Sequence, residues 1–286
     1  MAIFGSGTPV SKIVGEGFPI YAGSFLRVLI GFIVLIPFLI AERKLIYHVS
    51  KKSWLLLGVI SLVGVVLFSV FMLEGMKRVS GVAGSIVMST TPAVTALGAF
   101  IFYKESFGIK KILALILAFA GVLIINLSHG MDNSGVSTGT LILGSAMIFG
   151  AVIGEVCFTL IGKKITEDLS PVLITGITCG MSIIMFLPMA FYELVSLNYT
   201  SISISSIIAM LWWGAGTMAL GTIVWYSGIQ EAKAGQAAIF MAVMPISALA
   251  LSYLLLGEAF KWVHAFGFGI VLVSIFLATH KKRRST

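Results

Sequence analysis

Long apolar runs alternate with short polar breaks along the whole chain. The breaks read "AERKLIYHVSKK", "EGMKRVSG", "KESFGIKK", "SHGMDNSGVS", "GKKITEDLS", "YELVSLNYTS", "QEAKAG" and "GEAFKW". Between them lie ten apolar segments: 1–15, 19–41, 53–74, 80–103, 108–127, 138–161, 171–192, 206–229, 234–256 and 263–280. A bilayer core about 30 Å thick takes roughly 20 apolar residues per helix. The pattern therefore predicts an all-α integral membrane protein with ten transmembrane helices. Segment 1–15 reaches only about 22 Å at the helical rise, so the first helix reads as truncated. Either the true start lies further upstream, or a stubby helix thins the bilayer locally.

Composition agrees with the pattern. The chain is 58% hydrophobic and 10% charged, with mean hydropathy +1.08, whereas a soluble domain carries about 25% charged residues. The formal charge of +8 invites a nucleic-acid reading, but the basic residues sit in short clusters between apolar runs, which excludes it. Those clusters set the orientation instead. With a cytoplasmic N-terminus, the inner side receives 14 Lys and Arg and the outer side receives 4 (Lys12, Lys77, Arg78 and Lys261), with Arg27 inside a helix. Both termini are expected in the cytoplasm, and "KKRRST" (281–286) is a basic anchor. The chain reads as a multi-pass protein of the plasma membrane of a bacterium. Cys157 and Cys179 both lie in apolar runs and form neither a disulfide framework nor a metal spacing.

The chain also matches itself at an offset of 153. "TTPAVTALGAFIFYKESF" (90–107) falls on "VMPISALALSYLLLGEAF" (243–260), so that Pro92 meets Pro245, Glu105 meets Glu258, Phe107 meets Phe260 and Met88 meets Met241. Nearer each start, "KIVGEGFP" (12–19) meets "KITEDLSP" (164–171) at an offset of 152. Each half holds five segments, and an odd number turns the second half upside down. Inverted repeats with a site near the bilayer midplane are a transporter architecture.

Several of these features together resemble a known family. "FGSGTPVSK", then "FP", then "LR", the two "P…E-x-F" segments and the five-plus-five layout are similar to the EamA-type carriers of the drug/metabolite transporter superfamily. The resemblance implies two EamA-like five-helix repeats, residues 1–127 and 138–280, followed by the basic tail 281–286. It implies a carrier of small metabolites, amino acids or drugs, often moved outward. The family often carries Trp where this chain has Phe4 and Val156.

Glu155 is the only acidic residue deep in a segment, inside "IFGAVIGEVCFTLIG" (148–162). A charge at that depth is costly and faces a cavity or a partner. It is a candidate anchor for a substrate ammonium or a candidate proton site. The alternative is a carboxyl bonded to neighbouring helices or reaching toward Lys163 and Lys164. Its counterpart in the first half is Ile3, so the carboxylate has no acidic mate. Arg27 could hold a substrate carboxylate bidentately. The family motif has an Arg here among members with diverse substrates, which favours a structural role. Pro92 and Pro245 each remove a helical hydrogen bond and are candidate hinges at symmetry-related positions, or static kinks.

Gly84, Met88, Thr91 and Thr95 share one face by their spacing, and Met241 lies on the corresponding face of the second half. Met88, Thr91 and Met241 are candidate substrate contacts, methionine being adaptable; ordinary helix packing is the alternative. Trp225 and Tyr226 could stack on a ring or hold a cation, or pack against neighbours. Gln236 could bond substrate or cap its helix. Trp54 and Trp262 read as interfacial anchors, and Lys12 and Lys164 as anchors or gate residues. No pair of His has metal-ligand spacing, and neither metal nor cofactor is expected.

A secondary carrier working by alternating access accounts for the duplication and the few buried charges. No Walker-type glycine loop is present. An intramembrane enzyme fits less well, because Asp132 and Asp168 lie in loops and no HExxH occurs. A channel or lipid flippase stays open. Substrate and lipid bilayer are the expected partners, protons are a candidate coupling ion, and pairing of two copies as a homodimer stays open.

Overall fold

The apolar runs fold as helices, and the described residues contain no strand. The computed structural model describes residues 1–103, 109, 112, 113, 116, 117, 120, 121, 137–197, 202–231, 243–257 and 260–279. Their helices are α1 (Ala2–Gly17), α2 (Ile20–Glu42), α3 (Lys51–Met76), α4 (Gly81–Tyr103), α5 (Thr138–Ile165), α6 (Pro171–Ser196), α7 (Ile204–Gln230), α8 (Val243–Leu256) and α9 (Trp262–Thr279). Among the described residues, α2 to α7 are long and apolar enough to cross a membrane. The predicted segment 108–127 and the first part of 234–256 lie largely outside the described residues. Helix α1 has 16 residues, close to the short first segment read from the sequence.

Serines start five of these helices. Ser50, Ser80, Ser137, Ser170 and Ser203 each accept the backbone N–H three residues on, which satisfies a donor that the helix itself leaves free. Glycines let the helices approach closely. A Cβ on Gly154 of α5 would meet the Val63 carbonyl of α3 at 2.7 Å, and one on Gly150 would meet the Phe71 ring at 2.8 Å. Such small-residue contacts are how helices associate in lipid, where the hydrophobic effect does not draw them together.

The packing partners come in twos. Helix α1 packs on α8, and α5 on α4; α3 packs on α5, and α7 on α1; α2 packs on α7, and α6 on α3. Two further contacts, α2 with α6 and α4 with α8, map onto themselves under the same exchange. The α2–α6 pair is closed at both ends by a carboxylate. Glu193 of α6 accepts the N–H of Ala22, in the first turn of α2, at 2.7 Å. Glu42 of α2 accepts from the hydroxyl of Ser170, the N-cap of α6. Each glutamate thus places negative charge at the positive N-terminal end of its partner helix.

Both α3 and α7 contain a π-helical stretch, Ile60–Leu67 and Trp212–Gly221, at positions that match at the 153-residue offset. Single-turn π insertions mark functional sites often, and both stretches face the molecular interior described below.

One element differs from the sequence reading. The segment 80–103 is not a continuous helix, because α4 stops at Met88 and restarts at Thr91. Gly84, Met88, Thr91 and Thr95 therefore do not form one uninterrupted face. The physical reason is Pro92, which has no N–H to offer the Met88 carbonyl. Three consecutive hydroxyls take over at the break. Ser89 donates to the Ile86 carbonyl at 2.5 Å, Thr90 to that of Val87 at 2.8 Å and Thr91 to that of Met88 at 2.6 Å. Broken backbone at membrane depth persists where such side chains satisfy it.

The outer surface is apolar. Ile184, Phe191, Leu254, Ile204 and Phe266 are all well exposed, as a lipid-facing surface requires.

Candidate functional site

The interior of the helix bundle holds a small cavity, lined among others by Phe4, Arg27, Phe68, Glu155, Met218 and Trp225. A second small space is lined by Phe4, Arg27, Phe68 and Glu155 again, together with Met88, Trp213 and Met244. Four shared residues make these two lobes of one central site. Its walls come from both π-helical stretches, through Gly64 and Val65 of α3 and through Trp213, Thr217 and Met218 of α7.

Glu155 is carried by α5 one residue beyond Gly154, where α5 is pressed against α3. Its side chain is partly exposed, and it lines both lobes. Its one hydrogen-bond contact among the described residues is the Thr91 hydroxyl, 3.5 Å from Oε2. That is a long contact, so the carboxyl has acceptor capacity left for a ligand.

Arg27 enters from α2 and is buried. Its Nη1 donates to Ser69 Oγ of α3 at 2.8 Å. The guanidinium lies 4.5 Å from the Trp213 ring centroid and 5.2 Å from that of Phe68. Two aromatic faces hold the cation by electrostatic attraction, while Nε has no hydrogen-bond partner. Arg27 and Glu155 do not close into an ion pair, although they line the same space. A positive and a negative group thus face one cavity between apolar walls, each with bonding capacity left.

The other sequence candidates separate in the structure. Met88 lines the second lobe and Trp225 the first. Thr91 reaches the site through Glu155. Tyr226 does not line the cavity: it is fully buried, donates to the Phe158 carbonyl at 3.0 Å and stacks on the Phe158 ring at 5.1 Å. It backs Phe158, which lines the first lobe. Pro92 sits in the first turn of the second half of α4, and Pro245 lies in α8. Gln236 and Met241 lie outside the described residues. Lys12 donates to the Met76 and Val79 carbonyls at 3.2 and 2.7 Å, closing the C-terminal end of α3. Among the described residues no cluster of three His, Cys, Asp or Glu could hold a metal.

Sequence reasoning missed Phe68, Ser69, Trp213 and Met218 as site residues. They sit in or beside the π-helical stretches, which no periodicity rule detects. The doubled Trp212-Trp213 was the one available signal.

Comparison with known proteins agrees with this architecture. The profile of the EamA-like transporter family matches residues 1–127 and 142–279. An uncharacterized transporter of Bacillus subtilis (strain 168), YetK, is 34% identical over 99% of this chain and 86% of its own. A second from the same organism, YyaM, is 24% identical over 80% of this chain and 73% of its own. A WAT1-related chloroplastic protein of Arabidopsis thaliana is 22% identical over 79% of this chain and 55% of its own. A solved protein crystal structure shares the fold with TM-score 0.67 at 14% identity, covering 97% of this chain and 93% of that one.

Proposed function

The chain belongs to the EamA-like transporter family, and from that premise we propose that it is a secondary carrier that exports small metabolites, amino acids or amines by alternating access. The observation that carries this reading is the central cavity, where Arg27 and Glu155 face the same space unpaired. An ammonium group on Glu155 and a carboxylate on Arg27 would each find a partner. The apolar body between them would lie against Phe4, Met88, Trp225 and Met244.

Ten helices in two inverted repeats, 1–127 and 138–280, supply the moving parts. The twofold pattern of helix pairs, the matched π-helical stretches and the reciprocal glutamate caps on α2 and α6 support this arrangement. So does the placement of Ser50 and Ser203 as N-caps of α3 and α7 at the same 153-residue offset. The Lys and Arg bias supports a cytoplasmic location for both termini, and protons are the coupling ion proposed for Glu155.

Purified protein in liposomes tests the proposal. A carrier shows saturable uptake and counterflow of a ligand first identified by thermal stabilisation in a panel of amino acids, polyamines and toxic cations. Glu155→Gln removes transport or its pH dependence. Unsaturable ion current, or full activity of Glu155→Gln with an unchanged pH profile, refutes it.

A further inference from the structure

Thr91 occupies two roles with one hydrogen. Its hydroxyl donates to the Met88 carbonyl at 2.6 Å, replacing the bond that Pro92 cannot make. The same oxygen stands 3.5 Å from Glu155 Oε2. A hydroxyl has a single donor hydrogen, so it serves the broken helix or the carboxylate, not both. An ionised, empty Glu155 accepts only and competes for that hydrogen. A Glu155 neutralised by a bound ammonium or by a proton is a weaker acceptor, and the hydrogen stays on Met88.

We propose that Thr91 is the positioning residue that couples the occupancy of Glu155 to the break in α4. With the carboxylate empty, Thr91 turns toward it and frees the Met88 carbonyl, which loosens the joint at Ser89 and Thr90. With the carboxylate occupied, Thr91 returns to Met88 and the two halves of α4 lock. Ligand binding in the cavity is thereby converted into stiffness of a helix that packs on both α5 and α8. The device exists in one half only: the 153-residue offset puts Met244 opposite Thr91, and the 152-residue offset near each start matches Glu155 to Ile3. An asymmetric coupling element on a symmetric scaffold lets one half respond to the ligand.

The other charged or titratable groups around the carboxyl are few. Arg27 comes from α2, with Cys179 of α6 near it, and Met1, which precedes α1, lines the first lobe. Tyr226 of α7 is turned to Phe158 instead. The described residues of α4 and α8 carry no charged side chain, and α3 presents none to the cavity.

The proposal rests on Glu155 being the ligand anchor, and the test separates the two ideas. Hydrogen–deuterium exchange of the full chain in lipid nanodiscs reads the amides of Ala93 and Val94, which bond to the Thr90 carbonyl at 3.0 and 3.1 Å. Glu155→Gln mimics the neutralised carboxyl without any ligand. It slows exchange at these amides about five- to tenfold, the ratio expected for one net hydrogen bond. In a Thr91→Val background Glu155→Gln has no such effect, and in a Thr91→Ser background the effect returns. An equal effect of Glu155→Gln in the Val and Thr backgrounds, or none in either, overturns the coupling role. If Glu155→Gln is inactive in transport while exchange is the same in all variants, the anchor stands and the link falls. If Glu155→Gln transports normally, anchor and link fall together.

Discussion

Arg27→Lys separates binding from scaffolding in the central cavity. Arg27 holds one hydrogen bond to Ser69 at 2.8 Å and lies between the Trp213 and Phe68 rings at 4.5 and 5.2 Å. Lysine keeps the charge but loses the flat plate and the second N–H that a carboxylate can use. A desolvated cation–π contact is worth about 2 kcal/mol, part of which an ammonium retains. A side-chain hydrogen bond inside a membrane protein averages about 0.6 kcal/mol. The fold is therefore expected to lose only about 1–2 kcal/mol. A bound carboxylate would lose one of two charge-assisted bonds, about 1.5–3 kcal/mol, or roughly 10- to 100-fold in Kd.

The assay compares an amino acid that stabilises the protein with the amine left when its carboxylate is removed, both measured by counterflow in liposomes. Arg27→Lys weakens the amino acid by that factor and changes the amine by less than about threefold, since the amine makes no bond to Arg27. Glu155→Gln weakens both. Equal losses for the two ligands in Arg27→Lys would reduce Arg27 to a scaffold. Absence of any stabilising amino acid would remove the two-pole reading of the cavity.

Other substitutions test the packing around the site. A Cβ on Gly5 would overlap Ser247 Oγ and the Met244 carbonyl, so Gly5→Val forces α1 away from α8. It should cost about 1–3 kcal/mol, seen as a lower melting temperature in detergent. Gly228→Ala is the control: nothing lies within 4 Å of its Cβ position, so melting stays unchanged or rises slightly. Glu193→Ala leaves the Ala22 N–H unpaired and costs about 1 kcal/mol, while Glu193→Gln restores most of it; equal losses would show that the bond at 2.7 Å contributes nothing. In protein lacking Cys157 and Cys179, a membrane-impermeant thiol reagent labels Glu42→Cys from the cytoplasm and Glu193→Cys from outside. Labelling of both from one face would refute the orientation.

Much of the protein was legible from one dimension. Apolar runs and serine caps are local properties, and bilayer thickness converts run length directly into helices, so α2 to α7 appear at nearly their expected bounds. Glu155 stood out because one carboxylate in an apolar run has no local explanation. Other features depend on contacts between distant segments. Trp225 and Tyr226 are neighbours in sequence, yet a helix turns successive side chains about 100° apart, so packing alone sends one to the cavity and buries the other against Phe158. The break after Met88 needed the hydroxyls of Ser89, Thr90 and Thr91 to be seen replacing backbone bonds. Most of all, Arg27 and Glu155 are 128 positions apart in the chain, and no periodicity relates them. A membrane protein with one arginine and one glutamate at depth follows from the order of residues alone. That they share a cavity without pairing is a product of helix packing, because the close approach of α5 to α3 and the aromatic seat of Arg27 hold the two charges apart.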